Sequence, residues 1–145
     1  MIKYVYIAGP LFNAHERRYL EQIAEELEGS GYKCFLPHRD QSGIDGSELE
    51  GTNFSQATKD KIFNADLKAL KEADLTVALI TGQDIDSGTA AEIGFTYARD
   101  KPIVAITAYE RRFRNLFVDG MISKTVNDVD ELLPAILSII PQDCV

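Results

Sequence analysis

Leu75-Thr76-Val77-Ala78-Leu79-Ile80 is the stretch that decides the fold. It carries no charge, is rich in β-branched side chains, and reads as a strand buried on both faces, the signature of a parallel sheet. On its N-terminal side a helix runs from Ser55, a suitable N-cap, to about Glu72, with Ile62, Leu67 and Leu70 predicted on its inner face. On its C-terminal side the polar stretch Gly82–Thr89 feeds a helix over Gly88–Arg99, followed by a strand over Pro102–Thr107. Further out, residues 2–8 (IKYVYIA) form a strand stopped by Gly9-Pro10. Residues 14–28 place Leu20, Ile23, Ala24 and Leu27 at helical spacing before Gly29 and Gly31, and Lys33–Leu36 is a strand ending at Pro37. Beyond residue 107 the chain predicts a loop with some helical content over 108–121, a short strand at Lys124–Val126 and a closing helix over Val129–Ile139. Strand and helix alternate throughout. The expected architecture is a single domain over 1–145, a three-layer α/β sandwich whose parallel sheet of about five strands carries helices on both faces.

The bulk numbers bound the function. With 145 residues, 45% of them apolar, the chain buries a core without disulfide or metal. Cys34 and Cys144 lie far apart and suggest reduced structural thiols. No apolar run reaches the ~20 residues of a membrane span. MIKYVYIAG enters a strand pattern without a cleavage site, so a cytosolic location is expected. Acidic residues outnumber basic ones 23 to 15, a net charge of −8, which argues against nucleic acid as a partner. The basic cluster Arg111-Arg112-Phe113-Arg114 reads most simply as a solvated loop.

Ligands of open parallel sheets bind at the carboxyl ends of the strands, near the reversal of strand order. Gly9–Asn13, His38–Gly51, Gly82–Thr89 and the loop after Thr107 all fall there. In Asp86-Ser87-Gly88-Thr89-Ala90-Ala91-Glu92, Gly88 permits close backbone approach and Asp86 or Ser87 can cap the helix. Glu92 lies about a turn inside among small neighbours, where the helix dipole favours the ionised carboxylate that a nucleophile needs. On spacing alone it equally complements the dipole on a solvated face. Asp66 reads either as a surface charge or as a second carboxylate of the site. Tyr6 reads as core, or as a phenol aimed at a carboxylate. Arg39, Asp40 and Gln41 are candidates for reading a base edge and Phe12 for stacking on it, whereas His38 reads as a solvated loop histidine.

Three motifs in order, Tyr6-Ile7-Ala8-Gly9-Pro10-Leu11-Phe12, Asp86-Ser87-Gly88-Thr89-Ala90-Ala91-Glu92-Ile93-Gly94 and Asn115-Leu116-Phe117-Val118-Asp119-Gly120, resemble the nucleoside 2-deoxyribosyltransferases. The resemblance implies a flavodoxin-like fold with no metal or organic cofactor. It gives Glu92 the nucleophile's place, with Tyr6 beside it, and makes Asp66 the carboxylate that protonates the departing base. It gives Asp86 the sugar hydroxyls, and it counts Gly9, Phe12, Ser87, Gly88 and Asp119 among the substrate-binding positions. Asn115 matches an amide lent to a neighbouring subunit's 5′-hydroxyl site, which implies a homo-oligomer acting on deoxynucleosides and nucleobases. A related hydrolase of deoxynucleoside 5′-monophosphates carries a serine where Asp86 stands. Two unit charges ~4 Å apart at an effective dielectric of ~20 repel by roughly 4 kcal/mol, so Asp86 favours a 5′-hydroxyl over a 5′-phosphate.

The expected reaction is transfer of 2-deoxyribose between bases through a glycosyl ester on Glu92, with retention. The alternatives are hydrolysis of deoxynucleoside 5′-monophosphates and a non-catalytic nucleotide-sensing module on the same fold.

Overall fold

The computed structural model describes residues 1–41, 54–81, 84–108 and 115–140. Gly82, the part of the polar loop beyond Gln41, the Arg111–Arg114 cluster and Cys144 lie outside them. The elements follow in the order β1 (Tyr4–Ala8), α1 (Ala14–Gly29), β2 (Lys33–Phe35), α2 (Gln56–Glu72), β3 (Leu75–Leu79), α3 (Ser87–Ala98), β4 (Ile103–Ile106), α4 (Leu116–Met121) and β5 (Lys124–Val126). A 3₁₀ turn (Val129–Glu131) leads into α5 (Leu132–Ile139). All strands pair in parallel, in the order β2-β1-β3-β4-β5. The strand order reverses beside β1, so the carboxyl ends of β1 and β3 flank the crevice where such sheets bind ligands.

The strand alternation sorts two cores. Val5, Ile7, Val77, Leu79, Val104 and Ile106 pack against Leu20, Ile23, Ala24 and Leu27 of α1 and Leu132, Ala135 and Ile136 of α5. The other face presents Tyr6, Ala8, Ala78 and Ala105 to Ala69 and Leu70 of α2 and Ile93 of α3. Large aliphatics fill the first layer. The alanines of the second let α3 sit close to the sheet. In β3 every residue is buried, as its unbroken apolar run predicts.

The helix starts are written in the sequence. Asn13, Ser55 and Asp86 each accept a backbone N–H three residues on. At the opposite end of the sheet Asp74 Oδ2 accepts the amides of Lys3 and Tyr4, both at 3.0 Å, and ties the start of β1 to that of β3. The inner face of α2 differs from expectation: Leu70 is buried, but Ile62 and Leu67 are only half-buried. Ala69 and Ala73 occupy the contact in their place, because the alanine-lined sheet face admits a close approach by small residues.

Candidate active site

Glu92 is the sixth residue of α3, and its backbone is fixed to the sheet. Thr96, one turn further on, donates from Oγ1 to the Glu92 carbonyl at 2.8 Å. Since that spends the Thr96 proton, the 2.7 Å contact between Thr76 Oγ1 on β3 and Thr96 Oγ1 is a donation from Thr76. The side chain of Glu92 turns inward: Oε2 is buried and has no hydrogen-bond partner. Tyr6 Oη, from the fully buried Tyr6 of β1, is buried and unpartnered as well. Phe35 stacks on the Tyr6 ring, centroids 5.5 Å apart, and holds the phenol in place.

The two groups act on one another. Burial drives the Tyr6 phenol well above its ordinary pKa, and the nearby Glu92 and Asp66 carboxylates push it further. It therefore stays protonated and serves only as a donor. Burial raises the Glu92 carboxyl to about 8, an approach of the Tyr6 phenol opposes that rise, and the charges of Asp66 and Asp86 add to it. The phenol is near enough to act electrostatically, yet neither polar atom completes a hydrogen bond of ordinary geometry.

Glu92 lies past the first turn of α3, where the dipole acts, so burial works against the dipole's preference for the ionised form and raises the carboxyl.

Asp66, late in α2, joins the same group. Burial raises its carboxyl to about 6, against a donation from Gln41 that lowers it. That donation runs from Gln41 Nε2 to Asp66 Oδ1 at 2.7 Å. Asp86 caps α3, its Oδ2 accepting from Thr89 N and Thr89 Oγ1, both at 3.1 Å. A Cβ at Gly88 would stand 3.2 Å from Asp86 Oδ2 and 3.9 Å from Glu92 Oε1, so the glycine opens the space between these carboxylates. Ser87 is exposed on the first turn of α3.

Other expected site residues fall elsewhere. Gly9 serves packing rather than the carboxylate group, since a Cβ there would meet Leu20 Cδ2 at 2.7 Å and Leu79 Cβ at 3.1 Å. Arg39 and Asp40 pair with each other and with α1 at the sheet edge. Arg39 donates to Asp40 Oδ1 and Oδ2, both at 2.9 Å, and to Glu28 Oε1 at 2.6 Å. Asp40 Oδ2 also accepts the Leu36 amide at 2.8 Å. Burial alone would raise Asp40, but Arg39, that amide and His38 hold it below its ordinary value. His38 is not solvated either, because its Nε2 meets Glu21 Oε1 at 2.9 Å and its Nδ1 is buried. Phe12 is 77% exposed at the mouth of α1. Asn115 caps α4, Oδ1 accepting from Phe117 N at 3.0 Å and Val118 N at 3.2 Å, and Asp119 lies exposed on the same helix. Burial pushes the Cys34 thiol up to about 12, which makes it inert.

Tyr6, Asp66, Asp86 and Glu92 thus stand within electrostatic reach of one another, near the place where the strand order reverses. Residues 5–133 match the family described as nucleoside 2-deoxyribosyltransferase. The chain belongs to this family. Among its relatives, the nucleoside deoxyribosyltransferase of Limosilactobacillus fermentum is 32% identical over 114 residues, 70% of this chain. The chain spans 63% of that relative's length. A putative 2′-deoxynucleoside 5′-phosphate N-hydrolase 1 of Thermofilum pendens is 24% identical over 144 residues, 94% of either chain. The solved 2-deoxyribosyltransferase of Bacillus psychrosaccharolyticus superposes with a TM-score of 0.75 at 25% identity over 89% of each chain. Members of the nucleoside 2-deoxyribosyltransferase family are enzymes acting on nucleosides, and the five-stranded parallel sheet seen here is their fold. Among the described residues, no three His, Cys, Asp or Glu side chains gather as a metal ion would require. No helix among them is long and apolar enough to cross a membrane.

Proposed function

We propose that the chain is a nucleoside 2-deoxyribosyltransferase in which Glu92 takes 2-deoxyribose from one base and passes it to another. The observation that carries this reading is a carboxyl oxygen and a phenol, both buried and both unpartnered, within electrostatic reach of each other and of a second carboxyl with a raised pKa. Buried polar groups are left without partners where a substrate supplies them.

In the first step the Glu92 carboxylate attacks the anomeric carbon and the C–N bond to the base breaks. The leaving nitrogen gains a proton, and Glu92, whose proton burial helps to retain, must give one up before it attacks. The two balance if Asp66 carries the proton across. Tyr6 donates to the Glu92 carboxyl, orienting the attacking oxygen. A second base then attacks the anomeric carbon from the vacated side, the C–O bond to Glu92 breaks, the incoming nitrogen gives its proton to Asp66, and the configuration is restored. Water in place of that base gives hydrolysis, so exclusion of water decides between transfer and loss.

Asp86 presents its remaining carboxylate oxygen to the sugar hydroxyls, and Gln41 contacts the base edge next to Asp66. Asn115 serves a neighbouring subunit's site. In support, Leu116 and Phe117 beside it are 72% and 78% exposed, an apolar surface that suits a homo-oligomer contact. The full-length similarity to the phosphate-dependent N-hydrolase favours a second reading, hydrolysis of deoxynucleoside 5′-monophosphates. The charge of Asp86 opposes it.

The test is incubation with deoxyinosine and adenine, and separately with thymidine and its 5′-monophosphate. Formation of deoxyadenosine supports transfer, and base release from the monophosphate alone supports the second reading. If neither exchange nor release occurs with any deoxynucleoside or monophosphate, the protein is not this enzyme.

A further inference from the structure

The stretch from Leu36 to Gln41 connects the sheet edge to the site. It reverses direction within five residues, as the amides of Arg39 and Asp40 both donate to the Leu36 carbonyl, at 3.0 and 2.9 Å. The Asp40 carboxylate closes the turn from inside by accepting the Leu36 amide. Outside it, the Arg39 guanidinium forks between Asp40 and Glu28, the latter in the last turn of α1, and reaches Glu28 Oε2 at 3.3 Å and the Cys34 carbonyl at 3.5 Å. His38 adds a second tie to α1 through Glu21. Three consecutive side chains are therefore anchored away from the site, and the fourth, Gln41, extends to Asp66.

We propose that Arg39 is a positioning residue that acts on the carboxyl group of the site through Gln41, by clamping the turn that carries the Gln41 amide to Glu28 of α1. Its catalytic consequence rests on the function proposed above. A planar fork with two carboxylate partners holds a turn in one geometry. An amide that must reach a carboxylate oxygen needs a carrier fixed to a few tenths of an ångström. The Arg39 guanidinium pairs with Asp40 and Glu28, so the clamp acts through the turn and not by contact with Asp66. Exposed ion pairs contribute little to global stability, so the clamp's effect is local.

The groups facing Asp66 are Gln41 from this turn, Tyr6 from β1 and Glu92 from α3. The experiment is a carboxyl ¹³C titration of Asp66 in the wild type, Arg39→Ala, Gln41→Ala and the double variant, with base exchange measured on the same four proteins. Loss of Gln41 removes the donation that lowers Asp66, so Gln41→Ala raises its titration midpoint. Arg39→Ala is expected to raise it too, and the double variant to titrate like Gln41→Ala alone. In the exchange assay Arg39→Ala is expected to lose roughly 10- to 100-fold in kcat/KM, again with no further loss in the double variant. Additive effects, or an Asp66 midpoint unmoved by Arg39→Ala, overturn the proposal. Glu28→Ala cuts the same clamp from an exposed helix position and replaces Arg39→Ala in the cycle if that protein does not fold. Absence of exchange by the wild type sinks the enzymatic reading, while the titration still decides the clamp.

Discussion

Thr76 of β3 donates to Thr96 of α3 across the buried interface, and Thr96 passes its own proton to the Glu92 carbonyl. The sheet thereby sets the height of the turn from which Glu92 projects. Thr76→Val removes the donor while keeping the shape. We expect a loss of about 1 kcal/mol, the usual net worth of a neutral hydrogen bond, read as a lower midpoint in chemical denaturation. The kcat should fall more than KM rises, because the turn carrying Glu92 loosens while the other sugar and base contacts remain.

Glu92→Ala should lower base exchange by about 10³-fold or more, the scale of losing a covalent nucleophile. Mass spectrometry of the wild type, quenched in the presence of a donor nucleoside alone, should find one deoxyribosyl adduct on the peptide containing Glu92. An adduct on Asp66 instead would reverse the assigned roles.

The raised carboxyl of Glu92 also sets a pH dependence of stability. Its pKa is about 8 folded against an ordinary 4.5 unfolded, so the native state binds this proton more tightly. The associated stability is fully present below pH 4.5, falls as pH rises towards 8, and is gone above it. Glu92→Gln lacks this titration. Thermal melts should show its Tm rising relative to wild type between pH 5 and pH 8.5, and a constant difference would place the burial cost elsewhere. The same proton shapes activity: the proposed step needs one proton on the coupled Glu92–Asp66 pair, so kcat/KM should rise with pH as the first carboxyl ionises and fall as the second does.

Asp86→Ser should move the preference from thymidine towards its 5′-monophosphate, measured as the ratio of kcat/KM values for base release. Serine is itself a good N-cap, so α3 keeps its start while the negative charge is removed. An unchanged ratio would count against electrostatic exclusion of phosphate by this residue.

Mixing Glu92→Ala with Asn115→Ser subunits tests whether sites are shared. Serine preserves the acceptor that caps α4 but lacks the amide donors. If Asn115 is lent across an interface, subunit exchange between the two inactive proteins restores part of the activity. Recovery of none, with mixed oligomers shown to form, confines Asn115 to its own subunit's site.

The strands, their parallel pairing and the starts of α2 and α3 were legible because they rest on local signals: an unbroken apolar run in β3 and caps at Ser55 and Asp86. Glu92 and Tyr6 stood out through their motifs and Asp66 only through the family resemblance, and the structure couples the three electrostatically. The desolvation of Glu92 was not legible, because burial is a sum over the whole fold whereas the dipole argument sees only one helix. The pairing of Arg39 with α1 was not legible either: its partner Glu28 lies 11 positions away, and nothing in the loop itself reports it. Thr96 did leave a trace, a threonine four residues after Glu92 on the inner stripe of a helix, where its hydroxyl reaches back to a carbonyl.

Tyr6 and Thr76 stand directly opposite one another in the β1–β3 ladder. One supplies the phenol beside the Glu92 carboxyl and the other begins the relay to its main chain. Because side chains alternate along a strand, a slip of one position would turn one of the two away, into the opposite layer. Competence for chemistry is thus written into the pairing of two neighbouring strands, and the protein has no partly misaligned form that keeps its reactive centre.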